Sequence, residues 1–252
     1  MSDRAIAIVQ ARNTSTRLPG KVLLPLAGTA LLDHVLNRVS AIAGLDGACL
    51  AIPEGTAHDG LVALAARRAD VMLVRGSEDD VLSRFVTAIE ATGADTVIRL
   101  TADCPFIDPG ICAGMLALQR ASGFCYVRNA FESGLPHGLD VEVVRAASLI
   151  EASRRNPDSY EREHVTPYLW RRPAEFPALL VDHRPDRRHW RLAVDTPQDY
   201  ELAQAIFARL YPADPMFGYA AIAALIDREP ELIKINAACR QKPYQGRPDR
   251  SD

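Results

Sequence analysis

Ala5-Ile6-Ala7-Ile8-Val9 runs directly into Gln10-Ala11-Arg12-Asn13-Thr14-Ser15-Thr16-Arg17-Leu18-Pro19-Gly20-Lys21. The first five residues are apolar throughout, the pattern of a strand covered on both faces in a parallel sheet. The residues that follow are polar, small or basic. In an open α/β sheet, the loop leaving the carboxyl end of such a strand is where ligands bind. Small and hydroxyl residues let backbone N–H groups approach an anion, while Arg12, Arg17 and Lys21 supply charge, a pairing that suits a polyphosphate. The segment is not a P-loop, because Val22 follows Gly20-Lys21 and the earlier glycine is missing. It is not a dinucleotide fingerprint either, since no G-x-G-x-x-G appears. A solvated basic loop is the competing reading, and the position after the first strand favours phosphate binding.

Working outward, apolar runs and helical spacings alternate. The spacing predicts a helix over 31–42, a strand over 48–52, a helix over 60–69 and a strand over 71–74. A helix over 78–91, capped by Ser77 with Glu78, Asp79 and Asp80 in its first turn, and a strand over 96–100 complete this half. Such alternation predicts βαβ units and a mostly parallel, three-layer α/β sheet. Beyond it the pattern is less regular. Strands are expected at 124–127, 141–144, 179–182 and 191–194, the last two in antiparallel arrangement, with helices at 147–154, 163–170, 198–210 and 222–227. No linker or repeat divides the chain, so one domain over 1–236 is expected, followed by a disordered polar tail over 237–252.

Composition narrows the classes. Among 252 residues, 48% are hydrophobic and 24% charged, enough apolar material for a sizeable core. A formal net charge of −3 gives no basic excess of the kind that nucleic-acid binders carry. No stretch approaches the ~18 apolar residues of a membrane helix, and the N-terminal run is too short for a signal peptide. The five cysteines contain no Cys-x-x-Cys pair, so reduced thiols in a cytoplasmic protein are expected.

Two aspartates stand where strands end. Asp103, in Thr101-Ala102-Asp103-Cys104-Pro105, follows the strand over 96–100 and lies too far ahead of its helix to cap it; Asp108 is the expected cap. Asp195, in Val194-Asp195-Thr196-Pro197, precedes a helix for which Thr196 is the better cap. Magnesium favours one or two carboxylates plus substrate phosphates, and these two on one triphosphate meet that need. An Asp before a helix is more often a cap than a ligand, so the case rests on the pair together with the basic loop. Glu78-Asp79-Asp80 is read as compensation of a helix dipole rather than a metal cluster. His164, beside Glu163, is read as a structural hydrogen-bonder, and His137 as a candidate substrate contact.

Gln10-Ala11-Arg12 with Ser15-Thr16-Arg17-Leu18-Pro19-Gly20-Lys21 resembles the signature of cytidylyltransferases that activate acidic sugars, in particular the spore-coat polysaccharide SpsF-like branch related to CMP-Kdo synthetases and acylneuraminate cytidylyltransferases. Further matching stretches are 75–82, 101–105, 138–142, 162–168 and 194–197, in family order over most of the chain. The resemblance implies a three-layer nucleotide-diphospho-sugar-transferase-like fold of the glycosyltransferase A type, with a mixed, mostly parallel sheet, in a homodimer. It implies CTP and an acidic sugar as partners, with Arg12 and Lys21 on the phosphates beside Ala11, Ser15 and Thr101. Arg75, Gly76 and Ser77 would lie near cytosine and ribose, and Asp103 and Asp195 would hold Mg2+. His137, Gly138, Asp140, Glu142, Glu163 and His164 fall on the sugar side. Two departures stand out. Asn13-Thr14 replaces the branch's Met-Gly, which would crowd the phosphates if Thr14 required a positive φ, and Ala102 replaces a glycine. Two rivals remain: a glycosyltransferase using a nucleotide sugar, disfavoured because no second Asp stands two residues from Asp103, and a non-catalytic nucleotide- or sugar-binding homologue.

Overall fold

Strand β1 (Ala5–Gln10) is an interior strand of a seven-stranded sheet. The structure, a computed structural model, describes residues 3–129 and 133–240. Alternate side chains of β1 enter two different cores: Ala5, Ala7 and Val9 one, Ile6 and Ile8 the other. Both faces are buried, which is why Ala5 to Val9 are apolar at every position instead of alternating.

The neighbours follow the same rule. Strands β4 (Gly47–Pro53) and β6 (Thr96–Thr101) flank β1 in parallel, and β5 (Val71–Gly76) extends the sheet beyond β4. On the other side come β8 (Glu142–Arg145), antiparallel to β6, then β7 (Tyr126–Arg128) and the edge strand β9 (Ala178–Leu180). The short strands β2 (Pro25–Leu26) and β3 (Thr29–Ala30) form a separate hairpin. One face is covered by α1 (Leu31–Ser40), α2 (Asp59–Ala65), α4 (Pro109–Ser122), α8 (Pro197–Leu210) and α9 (Tyr219–Arg228). The other is covered by α3 (Val81–Thr92), α5 (Ala146–Arg155) and, beyond α6 (Ser159–His164), α7 (Pro167–Trp170). The result is a mixed, mostly parallel three-layer α/β sheet.

Four expectations need correction. Asp80, not Ser77, caps α3: its carboxylate accepts from Ser83 N, while the Ser77 hydroxyl accepts from Asp80 N and closes a turn ahead of the helix. Glu78 and Asp79 therefore precede the helix rather than forming its first turn. The helix expected over 163–170 is broken at Val165, whose φ of 72° and ψ of −58° make a γ-turn closed by Thr166 N on His164 O. The strand expected over 191–194 is a single bridge from Arg191 to His137, because the amides of Leu192 and Ala193 turn to the His137 carbonyl. At the expected strand 179–182, β9 pairs in parallel with β7. Of the expected polar tail, residues 241–252 lie outside the described residues, while Cys239 contacts the cap residue Thr196 at 3.1 Å.

The loop carrying His137 and Gly138 packs tightly on residues 191–194. Gly138 has φ 106°, and a Cβ there would sit 2.4 Å from Ala193 N and 2.6 Å from Leu192 C. Both obstacles are backbone, so neither can rotate away. Gly138→Ala is expected to destabilise the protein by about 3 kcal/mol, combining a strained conformation with a main-chain clash. Urea unfolding checks this, and a loss under ~1 kcal/mol would show that the contact yields.

Candidate functional site

Three segments far apart in the chain meet beside the carboxyl ends of β1 and β6. Gly20, left-handed at φ 68°, opens a 3-10 turn over Lys21–Leu23 that brings Lys21 back beneath the loop. Lys21 Nζ lies 2.7 Å from Asp103 Oδ2 and 2.6 Å from Asp195 Oδ1. Asp103 follows β6 directly, and its carbonyl accepts from Val194 N at 2.8 Å, so the two aspartate segments are tied through their backbones. A capping box at Thr196 and Asp199 starts α8, and Asp199 also accepts from Asp195 N. Asp195 is thereby relieved of capping, as its sequence context predicts. Arg17 at 2.9 Å and Arg191 at 2.5 Å approach its second oxygen.

The charges of this cluster are mutually dependent. Burial opposes ionisation of Lys21, but Asp103 and Asp195 outweigh it and hold the ammonium above its ordinary value. Burial also opposes ionisation of Asp103, and Lys21 overcomes it, keeping the carboxyl well below the usual range. Asp195 is likewise held low, against burial and repulsion from Asp103, by Lys21 and Arg17. Among the described residues, no three His, Cys, Asp or Glu side chains are grouped to hold a metal by themselves. Two hard carboxylates around one cation, in a cleft with room for a phosphate, fit a Mg2+ whose other ligands come from substrate and water.

The same cleft carries further cations in its lining. Arg12, exposed at the start of the loop, and Arg84, buried on α3, both line it, as do Ser15, Glu163 and His164. The Thr14 hydroxyl donates to Glu78, which is held below its ordinary value by that bond and, more weakly, by His58 and Arg12. Thr14 has no positive φ, so the expected crowding does not arise. Burial pushes the His164 imidazole down, and its ring lies 4.3 Å from that of Tyr160.

The other sequence candidates divide clearly. Ala11, Thr101 and Ala102 line the cleft with the residues above. Arg75 is outside the lining, donating to Gly55 O at 2.8 Å, while Gly76 and Ser77 contact Arg84 behind it. His137 Nδ1 lies 2.9 Å from Asp140 Oδ2, and that oxygen accepts from Gly138 N. Burial works against the charge on His137, and Asp140 reverses the effect to raise its pKa. Glu142 is buried at the start of β8, bonded by Arg99, Tyr126 and Thr166, and ties strands together away from the cleft lining. Gln10 and Arg84 line the cleft without having been singled out. For Arg84 a signal existed: one cation among Val81, Leu82, Phe85 and Ala88 on the core face of a helix.

A basic loop after the first strand, facing two aspartates at neighbouring segment ends in a nucleotide-diphospho-sugar transferase fold, defines a nucleotidyltransferase-type site. Residues 6–222 match the Cytidylyltransferase family, and the chain belongs to it. It is 36% identical over 235 residues to the spore coat polysaccharide biosynthesis protein SpsF of Bacillus subtilis, covering 89% of this chain and 94% of that one. It is 26% identical over 183 residues to the 3-deoxy-manno-octulosonate cytidylyltransferase of Escherichia coli, covering 67% and 73%. Its fold matches a cytidylyltransferase from Leptospira borgpetersenii with a TM-score of 0.87 at 28% identity, covering 96% and 99%.

Removing Lys21 tests the coupling. Lys21→Met leaves two carboxylates without their shared cation and is expected to destabilise the ligand-free protein by about 3 kcal/mol at pH 7. Carboxylates whose folded pKa is depressed contribute stability above their unfolded pKa and lose it as pH falls through the folded value. The gap between wild type and variant should therefore narrow below about pH 4. Urea unfolding across pH 3–7 reads this, and a constant gap would refute the coupling.

Proposed function

We propose that this cytidylyltransferase moves CMP from CTP to an acidic sugar of the Kdo or nonulosonic type, releasing pyrophosphate, in surface-polysaccharide synthesis. The observation that carries the reading is the Asp103–Lys21–Asp195 cluster at the head of a basic loop, in a chain whose relatives include a spore-coat polysaccharide protein and a 3-deoxy-manno-octulosonate cytidylyltransferase. A hydroxyl of the acceptor attacks the α-phosphorus, forming the new O–P bond as the bond to pyrophosphate breaks and the hydroxyl proton leaves. Transfers of this kind are catalysed chiefly by positioning and charge stabilisation.

Each residue has a task in that scheme. Arg12 and the amides around Ser15 bind the phosphates, and Arg17 and Lys21 offset the charge that builds on the departing pyrophosphate. Lys21 also keeps Asp103 and Asp195 ionised before substrate arrives, so the carboxylates need no proton loss to act as ligands. Asp103 and Asp195 would hold a Mg2+, which would supply Lewis-acid charge at the phosphates. Glu163 and His164, which line the cleft, would meet the acceptor.

Magnesium-dependent pyrophosphate release, measured with each nucleoside triphosphate against a panel of acidic sugars, is expected with CTP and a sugar acid. Asp103→Asn and Asp195→Asn should each lower turnover by about 10²–10³. Because Asp195 also partners Arg17 and Arg191, melting curves must accompany its variant. Transfer from a nucleotide sugar without pyrophosphate release, or variant turnover within tenfold of wild type, would sink the assignment.

A further inference from the structure

Arg84 has no task in the scheme above, yet its setting is unusual. It sits in the first turns of α3 with 2% of its surface exposed, and it lines the cleft. Its Nη1 donates to the carbonyls of Ser77, at 2.5 Å, and Glu78, at 3.2 Å. Its Nε is buried without a hydrogen-bond partner. No carboxylate pairs with it among the described residues; Glu78 and Asp80 act on it only through space. Two carbonyl bonds leave a nearly buried guanidinium with no carboxylate in contact, a costly arrangement unless an anion completes it.

The stem of Arg84 is fixed in place by the absence of a side chain. A Cβ on Gly76 would lie 3.0 Å from Arg84 Cγ, so β5 ends in the residue that lets the arginine lie against it. The guanidinium is thus pinned from two sides before any ligand arrives, and preorganised donors bind with little ordering cost. Arg12 lines the same cleft and is the cation whose charge acts on Arg84. Burial first and Arg12 second push the Arg84 pKa down to about 10, still charged at neutral pH. Two cations converging on one cleft wall, one of them with no acidic partner, make a site for a doubly charged oxyanion.

We infer that Arg84 is a phosphate-binding residue, forming with Arg12 a two-cation subsite for the polyphosphate of the nucleotide. The identity of the ligand rests on the function proposed above, whereas the anion subsite rests on the geometry of Arg84 alone. The cleft therefore has two poles. Asp103 and Asp195 form the acidic one, shared through Lys21, and Arg12 and Arg84 the basic one, which grips the phosphates from the α3 side.

Calorimetric binding of inorganic pyrophosphate and of CTP to the full chain tests this. Arg84→Met keeps the stem against Gly76 and removes the charge; it should weaken both ligands about tenfold or more. Arg84→Lys should recover most of that loss, and the dependence of pyrophosphate affinity on salt should be shallower in Arg84→Met than in wild type. Should Arg84→Met not fold, Arg84→Gln, which retains an N–H donor for the Ser77 carbonyl, takes its place. Affinities within twofold of wild type for both ligands, or an equal loss in the Met and Lys variants, would overturn the inference, the latter by showing that shape and not charge matters. A wild-type protein that binds pyrophosphate through Arg84 yet releases none from any triphosphate would leave the subsite standing and remove the proposed function instead.

Discussion

A single ammonium ties this site together. Lys21 bridges two carboxylates that lie 82 and 174 residues further along the chain, and its side chain is only 8% exposed. Placing one lysine and two aspartates so close is unfavourable for each alone, because burial penalises every charge. It becomes favourable only when all three are present, which makes the cluster a demand on the whole fold. β1 must deliver the loop, β6 must end at Asp103, and α8 must begin just after Asp195. The backbone bond from Val194 N to Asp103 O holds two of these segments in register regardless of side-chain charge. The capping box frees the Asp195 carboxylate to face the lysine.

The same economy explains why the neighbouring loop is so constrained. Residues 191–194 belong to no strand, so beyond the Val194–Asp103 bond their position depends on the bridge to His137 and the close approach at Gly138. Arg191 then spans Asp199 and Asp195, joining the α8 cap to the acidic pole. His137, paired with Asp140, holds this loop through its carbonyl, which accepts from Leu192 N and Ala193 N. The acidic pole is thus supported by Arg191 and Asp199, a charge pair outside the cleft lining, as precise sites require.

How far the sequence was legible follows from the physics of each part. The β1 run, the alternation up to β6 and the caps at Asp108 and Thr196 are local signals, written in periodicity and cap chemistry, and the structure carries all of them. Ser77 failed as a cap because a turn closed by its own hydroxyl intervenes before Asp80. The helix over 163–170 failed because Val165, a buried β-branched residue, takes a positive φ, which no propensity announces. Arg191 to Val194 reads as a strand by composition, but its amides are claimed by the His137 carbonyl. The pairing of Asp103 with Asp195 was legible only as a shared sheet edge; that a lysine joins them is a fact of three dimensions.

Arg84 shows the limit from the other direction. Helical periodicity places it on the core face of α3, where a charged residue reads as a defect in an apolar stripe. In the fold that face borders the cleft at its amino-terminal end, so the position is core along the stem and ligand-facing at the tip, as arginine's long apolar chain permits. The glycine that ends β5 and the arginine one turn into α3 are then two halves of one device. Gly76 supplies the space, and Arg84 fills it with a charge that the interior cannot neutralise. A sequence reading that treats each residue by its own propensity assigns neither; reading a buried unpaired cation as an unmet electrostatic need assigns both.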